Sequence, residues 1–266
     1  MYPMFRRCLL AFLITLLSAC GGGTGDYAVG GGGGSGGGAT AAVQGVWIGS
    51  YSINGTSGST PVIAVIAEGG YAFFYDEFGN VYVLPKLTGS TTLKGTLSAY
   101  AAFGGTFPDG HTAESFSLSG TASDTSITGT FSGNGETGSF ALTSLATQST
   151  GVSGLADLAG NAGGFYFGSG TAAVALTIQA SGVFAGTDAN GCNLVGTFAK
   201  VQANPLLVAV TVKSSGSSGA CAGSMTGLGF VTDSDLGNLF GGAAGNYLYV
   251  GVSNSNAAFA AELRLP

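Results

Sequence analysis

Few side chains in this chain could do chemistry, and their spacing is poor for catalysis. His111 is the only histidine among 266 residues, and it stands beside Asp109-Gly110 in a loop signal. A Ser-His-Asp enzyme would have to use it as its base. No Gly-x-Ser-x-Gly stands in a strand–turn–helix setting, and no Gly-Lys-Ser/Thr closes a glycine-rich loop. Two acidic turns match each other: Asp76-Glu77-Phe78-Gly79-Asn80 and Asp188-Ala189-Asn190-Gly191. Asp-x-Asn-Gly starts a calcium loop, but such a loop needs a glutamate at its twelfth position. Counted from Asp188, that position is Ala199. Both turns therefore read as hairpins, and Asp233-Ser234-Asp235 as a solvated loop. The expectation is no metal, no cofactor and no enzyme activity.

The chemistry the sequence does announce is at the N-terminus. Arg6 and Arg7 precede an apolar run of ten residues, Cys8 to Leu17, broken only by Thr15. A bilayer-spanning helix needs about 20 apolar residues, so this run reads as an export signal. Leu17-Ser18-Ala19-Cys20 at its end resembles the lipobox of bacterial lipoproteins. That resemblance implies cleavage before Cys20 and lipid on its sulfur and new amino terminus; the alternative is a plain secretory signal cut elsewhere. Gly21 in place of Asp implies sorting to the outer membrane. Residues 1–19 are then the signal peptide. Residues 20–42 are the lipidated cysteine and a glycine-rich tether, with an r.m.s. reach of roughly 20–25 Å. The tract resembles the leaders of surface-displayed Gram-negative lipoproteins of the transferrin-binding and factor-H-binding types. With Cys8 removed and Cys20 lipidated, Cys192 and Cys221 remain as a pair, which in an exported protein reads as a disulfide. Two thiols without a nearby histidine do not complete a zinc site.

Loss of Arg6 and Arg7 leaves five basic residues against thirteen acidic ones. No basic cluster exists, which argues against nucleic acid and anionic headgroups as partners. Charged residues make up only 8% of the chain, and Val, Ile, Phe, Tyr, Thr, Ser and Gly dominate over helix formers. That composition suits many short strands joined by tight turns.

The elements that must position any site come as two related halves, 43–147 and 148–266. Val62 through Gly79 aligns without gaps to Val174 through Gly191, placing Asp76 on Asp188. Lys94-Gly95-Thr96-Leu97 parallels Val195-Gly196-Thr197-Phe198, and Gly45-Val46-Trp47-Ile48-Gly49 parallels Gly164-Phe165-Tyr166-Phe167-Gly168. Each half parses into about eight short strands. In the first they fall at roughly 45–53, 61–67, 70–76, 80–88, 92–101, 113–120, 125–132 and 137–144. In the second they fall at roughly 163–169, 172–180, 182–187, 192–200, 205–213, 223–231, 246–252 and 257–265. Turn signals such as Gly133-Asn134-Gly135 and Asn254-Ser255-Asn256 separate them. Strands that turn straight into the next favour antiparallel meanders, and closure removes exposed edges. The expected fold is all-β, two tandem meander barrels, with one barrel plus one sandwich as the alternative. Val62 to Ala67 is apolar on both faces, as is much of Leu206 to Val212. The halves are therefore expected to pack together through these matched strands.

Gly45-Val46-Trp47 resembles the G-x-W start of lipocalins, whose tryptophan closes the barrel floor. The run Ile127 to Gly133, then Gly138-Ser139-Phe140, resembles the closing strands of transferrin-binding-protein barrels, with their paired G-x-F motifs. Tyr71, Phe73 and Tyr75 share one strand face, with Phe74 on the other; they are candidates for lining a cavity or docking a partner, with core packing as the plainer role. The resemblances imply a lipid-anchored outer-membrane lipoprotein. It would be a non-catalytic binding module, held to the membrane by its lipid and displayed to an unknown protein. The alternatives are a carrier of a small apolar ligand in a lipocalin-like cavity and a structural envelope component.

Overall fold

A computed structural model of the chain describes residues 43–89, 91–102, 105–107, 109–145, 154–167, 173–202, 206–217, 221–236 and 242–266. The leader, Cys20 and the tether lie outside them. Among the described residues sixteen strands follow one another. The first eight are β1 (Gly45–Ile53), β2 (Thr60–Ile66), β3 (Ala72–Asp76), β4 (Val81–Leu84), β5 (Thr92–Tyr100), β6 (Ala113–Ala122), β7 (Ser126–Gly133) and β8 (Glu136–Ser144). The second eight are β9 (Gly160–Tyr166), β10 (Ala173–Ile178), β11 (Val183–Asp188), β12 (Asn193–Lys200), β13 (Leu207–Ser215), β14 (Gly223–Thr232), β15 (Tyr247–Ser253) and β16 (Ala258–Arg264). Each set forms a closed antiparallel meander, sealed by β8 on β1 and by β16 on β9. The molecule thus has two barrels and no sandwich.

Turn chemistry fixes the register. Asn134 and Gly135 both take positive φ, 48° and 79°, between paired Gly133 and Glu136. That is the two-residue hairpin loop whose twist matches its strands. The halves also share one register. Gly49 pairs with Val62 and Val62 with Asp76, as Gly164 pairs with Val174 and Val174 with Asp188. At the closing seam Gly49 faces Leu142 and Gly164 faces Leu263. Both barrels therefore close with the same stagger.

This register corrects two of the matched blocks. Gly49 is equivalent to Gly164, four residues from the alignment suggested by the glycine spacing. The Lys94–Leu97 block lies on β5, the fifth strand of its barrel, whereas Val195–Phe198 lies on β12, the fourth of its own. Gly-Thr followed by an apolar residue recurs on many strands of this chain, so it marks a strand without numbering it.

Three apolar clusters hold the fold. One fills the floor of the first barrel, where Trp47 is buried and its Nε1 donates to Val43 O at 3.1 Å. A second fills the other barrel and is closed below by Leu158 from a short 3-10 turn, Leu155–Leu158. The third lies between the barrels, where β2, β3 and β4 meet β14, β15 and β16. Fully burying each large side chain there contributes roughly 1.5–3 kcal/mol. β2 packs across as expected, and Leu206, Leu207 and Ala209 of the second stretch join it. The matched strand β10 takes no part, so the halves meet through non-equivalent surfaces.

Phe73 and Tyr75 belong to this third cluster, and Tyr71 packs against it. Phe73 and Tyr75 are 0% and 1% exposed. Tyr75 lies 5.0 Å from Phe167 and stacks at 6.4 Å on Tyr249, which stacks in turn on Phe230 at 4.8 Å. Phe73 rests on Gly251, where a Cβ would approach its ring to 2.8 Å. Tyr71 is half-buried, edge-on to Phe73 at 5.5 Å. This aromatic face packs against the second half of the chain.

Candidate functional site

The first barrel holds the site, and its polar end begins at the β3–β4 turn. Asp76 ends β3 and folds its carboxylate over that turn. Phe78 N and Asn80 N donate to Oδ1 at 3.0 and 2.9 Å. Gly79 supplies the positive φ, 85°, that lets the chain double back. Oδ2 accepts from the Tyr51 hydroxyl, the Tyr82 hydroxyl and Asn80 Nδ2, each at 2.9 Å. The two phenol oxygens are 3.0 Å apart. Strands β1, β3 and β4 thus converge on one carboxylate that is 1% exposed. Burying a carboxylate without partners would be very costly, and five donors offset that. Burial, then the nearby Asp76 charge, pushes the Tyr51 and Tyr82 hydroxyls well above the ordinary tyrosine range. Both phenols stay protonated and act as donors to Asp76.

The walls come from glycines and rings that interlock. Phe131 on β7 pairs with Gly138 on β8, and Gly129 on β7 pairs with Phe140 on β8. Each ring lies over the facing glycine, where any Cβ would collide with it. Phe116 packs edge-on to Phe131 at 5.9 Å, and Tyr51 edge-on to Phe131 at 6.0 Å. Rings held against the wall leave the centre open. The result is a cavity of about 230 Å³ lined by seven rings and by Ile53, Val62, Leu97, Leu118 and Leu142, with Asn80 and Glu136 its other polar neighbours. Phe107 reaches it from the β5–β6 loop.

Asparagines tie the rim. Asn80 Oδ1 accepts from Ala102 N at 3.1 Å. Asn54 Nδ2 donates to Thr137 Oγ1 at 2.8 Å, and Asn134 Nδ2 donates to Asp109 and Glu114 at 2.7 and 2.9 Å. His111, the only candidate base, is exposed in the β5–β6 loop with Nδ1 2.7 Å from Asp109 Oδ2. The His111 backbone N–H and the Asn134 amide hold Asp109 well below the usual carboxylate range, and Asp109 raises the imidazole.

The second barrel repeats the plan without the space. Asp188 Oδ1 accepts from Asn190 N and Cys192 N at 2.9 and 3.0 Å, and Tyr166 donates to Oδ2 at 3.2 Å. By register Tyr166 is equivalent to Tyr51, but Leu194 stands where Tyr82 does. The remaining void is about 50 Å³. Cys192 and Cys221 are bonded, with Cα atoms 5.6 Å apart, tying the β11–β12 turn to the segment before β14.

Sequence reasoning placed the disulfide and read both acidic turns as hairpins. It did not find Tyr51, Tyr82 or Asn80 as partners of Asp76. The signal was available: an aspartate at the same position in both halves, each opening a glycine turn. Among the described residues, no group of three His, Cys, Asp or Glu side chains is placed to hold a metal. No protein-family model matches the chain, nor does any curated protein or any solved structure.

Proposed function

We propose that this chain is a lipid-anchored lipoprotein of the outer membrane, without catalytic activity, whose first barrel holds a small apolar molecule. One observation carries the reading: two barrels of the same register differ in that the first encloses about 230 Å³ and the second about 50 Å³. An apolar cavity of about 150 Å³ is enough to hold benzene. The first lumen therefore suits an aromatic or branched molecule of roughly ten heavy atoms. Apolar walls with a few convergent polar groups are the usual make-up of a ligand site. The aromatic face that sequence offered for lining a cavity or docking a partner is packed against the second barrel, and the open lumen of the first favours the carrier. The anchor rests on the lipobox resemblance at Cys20 and on the glycine tether behind it.

Titration of the purified protein with toluene, followed by calorimetry or NMR, tests the site. Saturable binding is expected, with shifts centred on Phe131 and Phe140, and Leu118→Trp should abolish it. Binding that is absent, or unchanged in Leu118→Trp, would sink the reading. For the anchor, a fatty-acid analogue fed to cells should label the native protein and leave Cys20→Ser unlabelled.

A further inference from the structure

We infer that the first barrel selects ligands whose polar group donates hydrogen bonds, an alcohol or a primary amine, and rejects carboxylates. The inference rests on the lumen being a ligand site and specifies its chemistry. Asp76 has gathered the donors at the polar end of the cavity. The Tyr51 and Tyr82 hydroxyls lie 2.9 Å from its Oδ2, and Asn80 donates to the same oxygen. The Asn80 carbonyl oxygen in turn accepts from Ala102 N. Both phenol hydrogens are directed at the carboxylate, and the Tyr51 oxygen already accepts from Tyr82 and from the Thr60 side chain, so it is the Tyr82 oxygen that offers the lumen a lone pair. A hydroxyl or ammonium entering there finds an acceptor. A carboxylate finds oxygens, with the Asp76 charge directly behind them.

The rest of the lining points the same way. Glu136 adds a second acidic group, and among the described residues no lysine, arginine or histidine lines the cavity. Ring faces are electron-rich and attract cations within about 6 Å, and seven rings surround this space. Burial and the Asp76 charge both hold those hydroxyls protonated, so the phenol oxygens stay neutral at the pH of the test. The geometry differs from a fatty-acid site, where a basic side chain would meet the headgroup.

Four probes of one shape decide it: toluene, benzyl alcohol, benzylamine and benzoate, each titrated into the full chain at pH 7.5. Benzyl alcohol and benzylamine should bind at least tenfold more tightly than benzoate. Tyr82→Phe removes one acceptor oxygen and keeps the ring. It should narrow that ratio at least threefold, with each affinity taken relative to that of toluene in the same variant. Equal binding of benzoate and the two donors would overturn the inference and leave the apolar site standing. So would an unchanged ratio in a Tyr82→Phe protein that still binds toluene. Failure of all four probes to bind would remove the site itself, and the inference with it.

Discussion

The two barrels are built on one register yet end differently, and the difference lies in a few interior positions. Carrying the pairing round each barrel makes Gly95 equivalent to Val210, Gly129 to Val250 and Phe131 to Val252. In the first barrel the rings of Phe131 and Phe140 lie over glycines and line the wall. In the second, branched Val210, Val250 and Val252, with Met225, project into the lumen. The exchange is not one-way, since Leu118 stands where the second barrel has Gly227. An eight-stranded barrel has an interior just wide enough to be filled by side chains or to hold one small ligand. The second barrel has such a pair too, Phe184 over Gly196, but on the seam equivalent to β7–β8 it carries valines where the first has Gly129 and Phe131.

The rims differ as well. Asn80 and Cys192 are equivalent, and each donates its backbone N–H to the aspartate of its turn. Each also reaches to the neighbouring loop, Asn80 by a hydrogen bond to Ala102 and Cys192 by a covalent bond to Cys221. The filled barrel is stapled and the hollow one is held by polar contacts. The largest effect that could break this contrast is loss of the staple. The cysteines are 29 residues apart, and in the chain-entropy model closing such a loop stabilises by roughly 3–4 kcal/mol. Urea unfolding of Cys192→Ala/Cys221→Ala should show a loss of about 3 kcal/mol. Asn80→Ala should lose about 1–2 kcal/mol, the cost of orphaning partly buried polar groups. Equal losses would mean that the two rims are mechanically alike.

A matched pair of substitutions sharpens the contrast at smaller magnitude. Leu118 lines the first lumen and Leu176 the second. Leu118→Trp has empty volume to enter and should change stability by less than about 1 kcal/mol. Leu176→Trp meets a packed interior and should destabilise by about 1–3 kcal/mol, the usual cost of overpacking. Denaturant midpoints of the two variants give the comparison. A similar penalty for both would mean that the first lumen is not open to filling.

Much of this architecture was legible before the structure, and the reasons are physical. Period-2 patterning and positive-φ turn residues such as Asn134-Gly135 placed nearly every strand to within a few residues. The leftover cysteine pair placed the disulfide. What pattern could not supply is which face of a doubly apolar strand looks inward. On β3, Tyr71, Phe73 and Tyr75 were correctly put on one face and Phe74 on the other. Only closure of the barrel sends Phe74 to the lumen and the other three to the neighbouring barrel. The hollow itself was illegible for the same reason. Gly138-Ser139-Phe140 is a weak motif until Phe131 and Gly129 stand opposite it on the next strand, and that pairing is a property of register. Asp76 read as a hairpin-turn residue because its contacts with Tyr51 and Tyr82 depend on how β1 and β4 close against β3.

The smallest effect separates the barrels by their tyrosines. Burial first, and Asp76 or Asp188 second, raise Tyr51 and Tyr82 in the first barrel and Tyr166 in the second above the ordinary value of 10.0. A phenol whose folded pKa exceeds its unfolded one contributes stability that is fully present below the unfolded value. That stability is lost as pH rises through the folded pKa, because the unfolded chain ionises first. Stability should therefore be flat from pH 7 to 9 and fall above pH 10. Tyr51→Phe/Tyr82→Phe removes two of these groups and should flatten the alkaline decline more than Tyr166→Phe, which removes one. Urea midpoints at pH 8 and pH 11 read the difference directly. If Tyr166→Phe flattened the decline as much as the double variant, the Asp76 cluster would hold its phenols no more firmly than its sparser copy at Asp188. The second phenol at position 82, which the filled barrel replaces with Leu194, would then serve the lumen and not the fold.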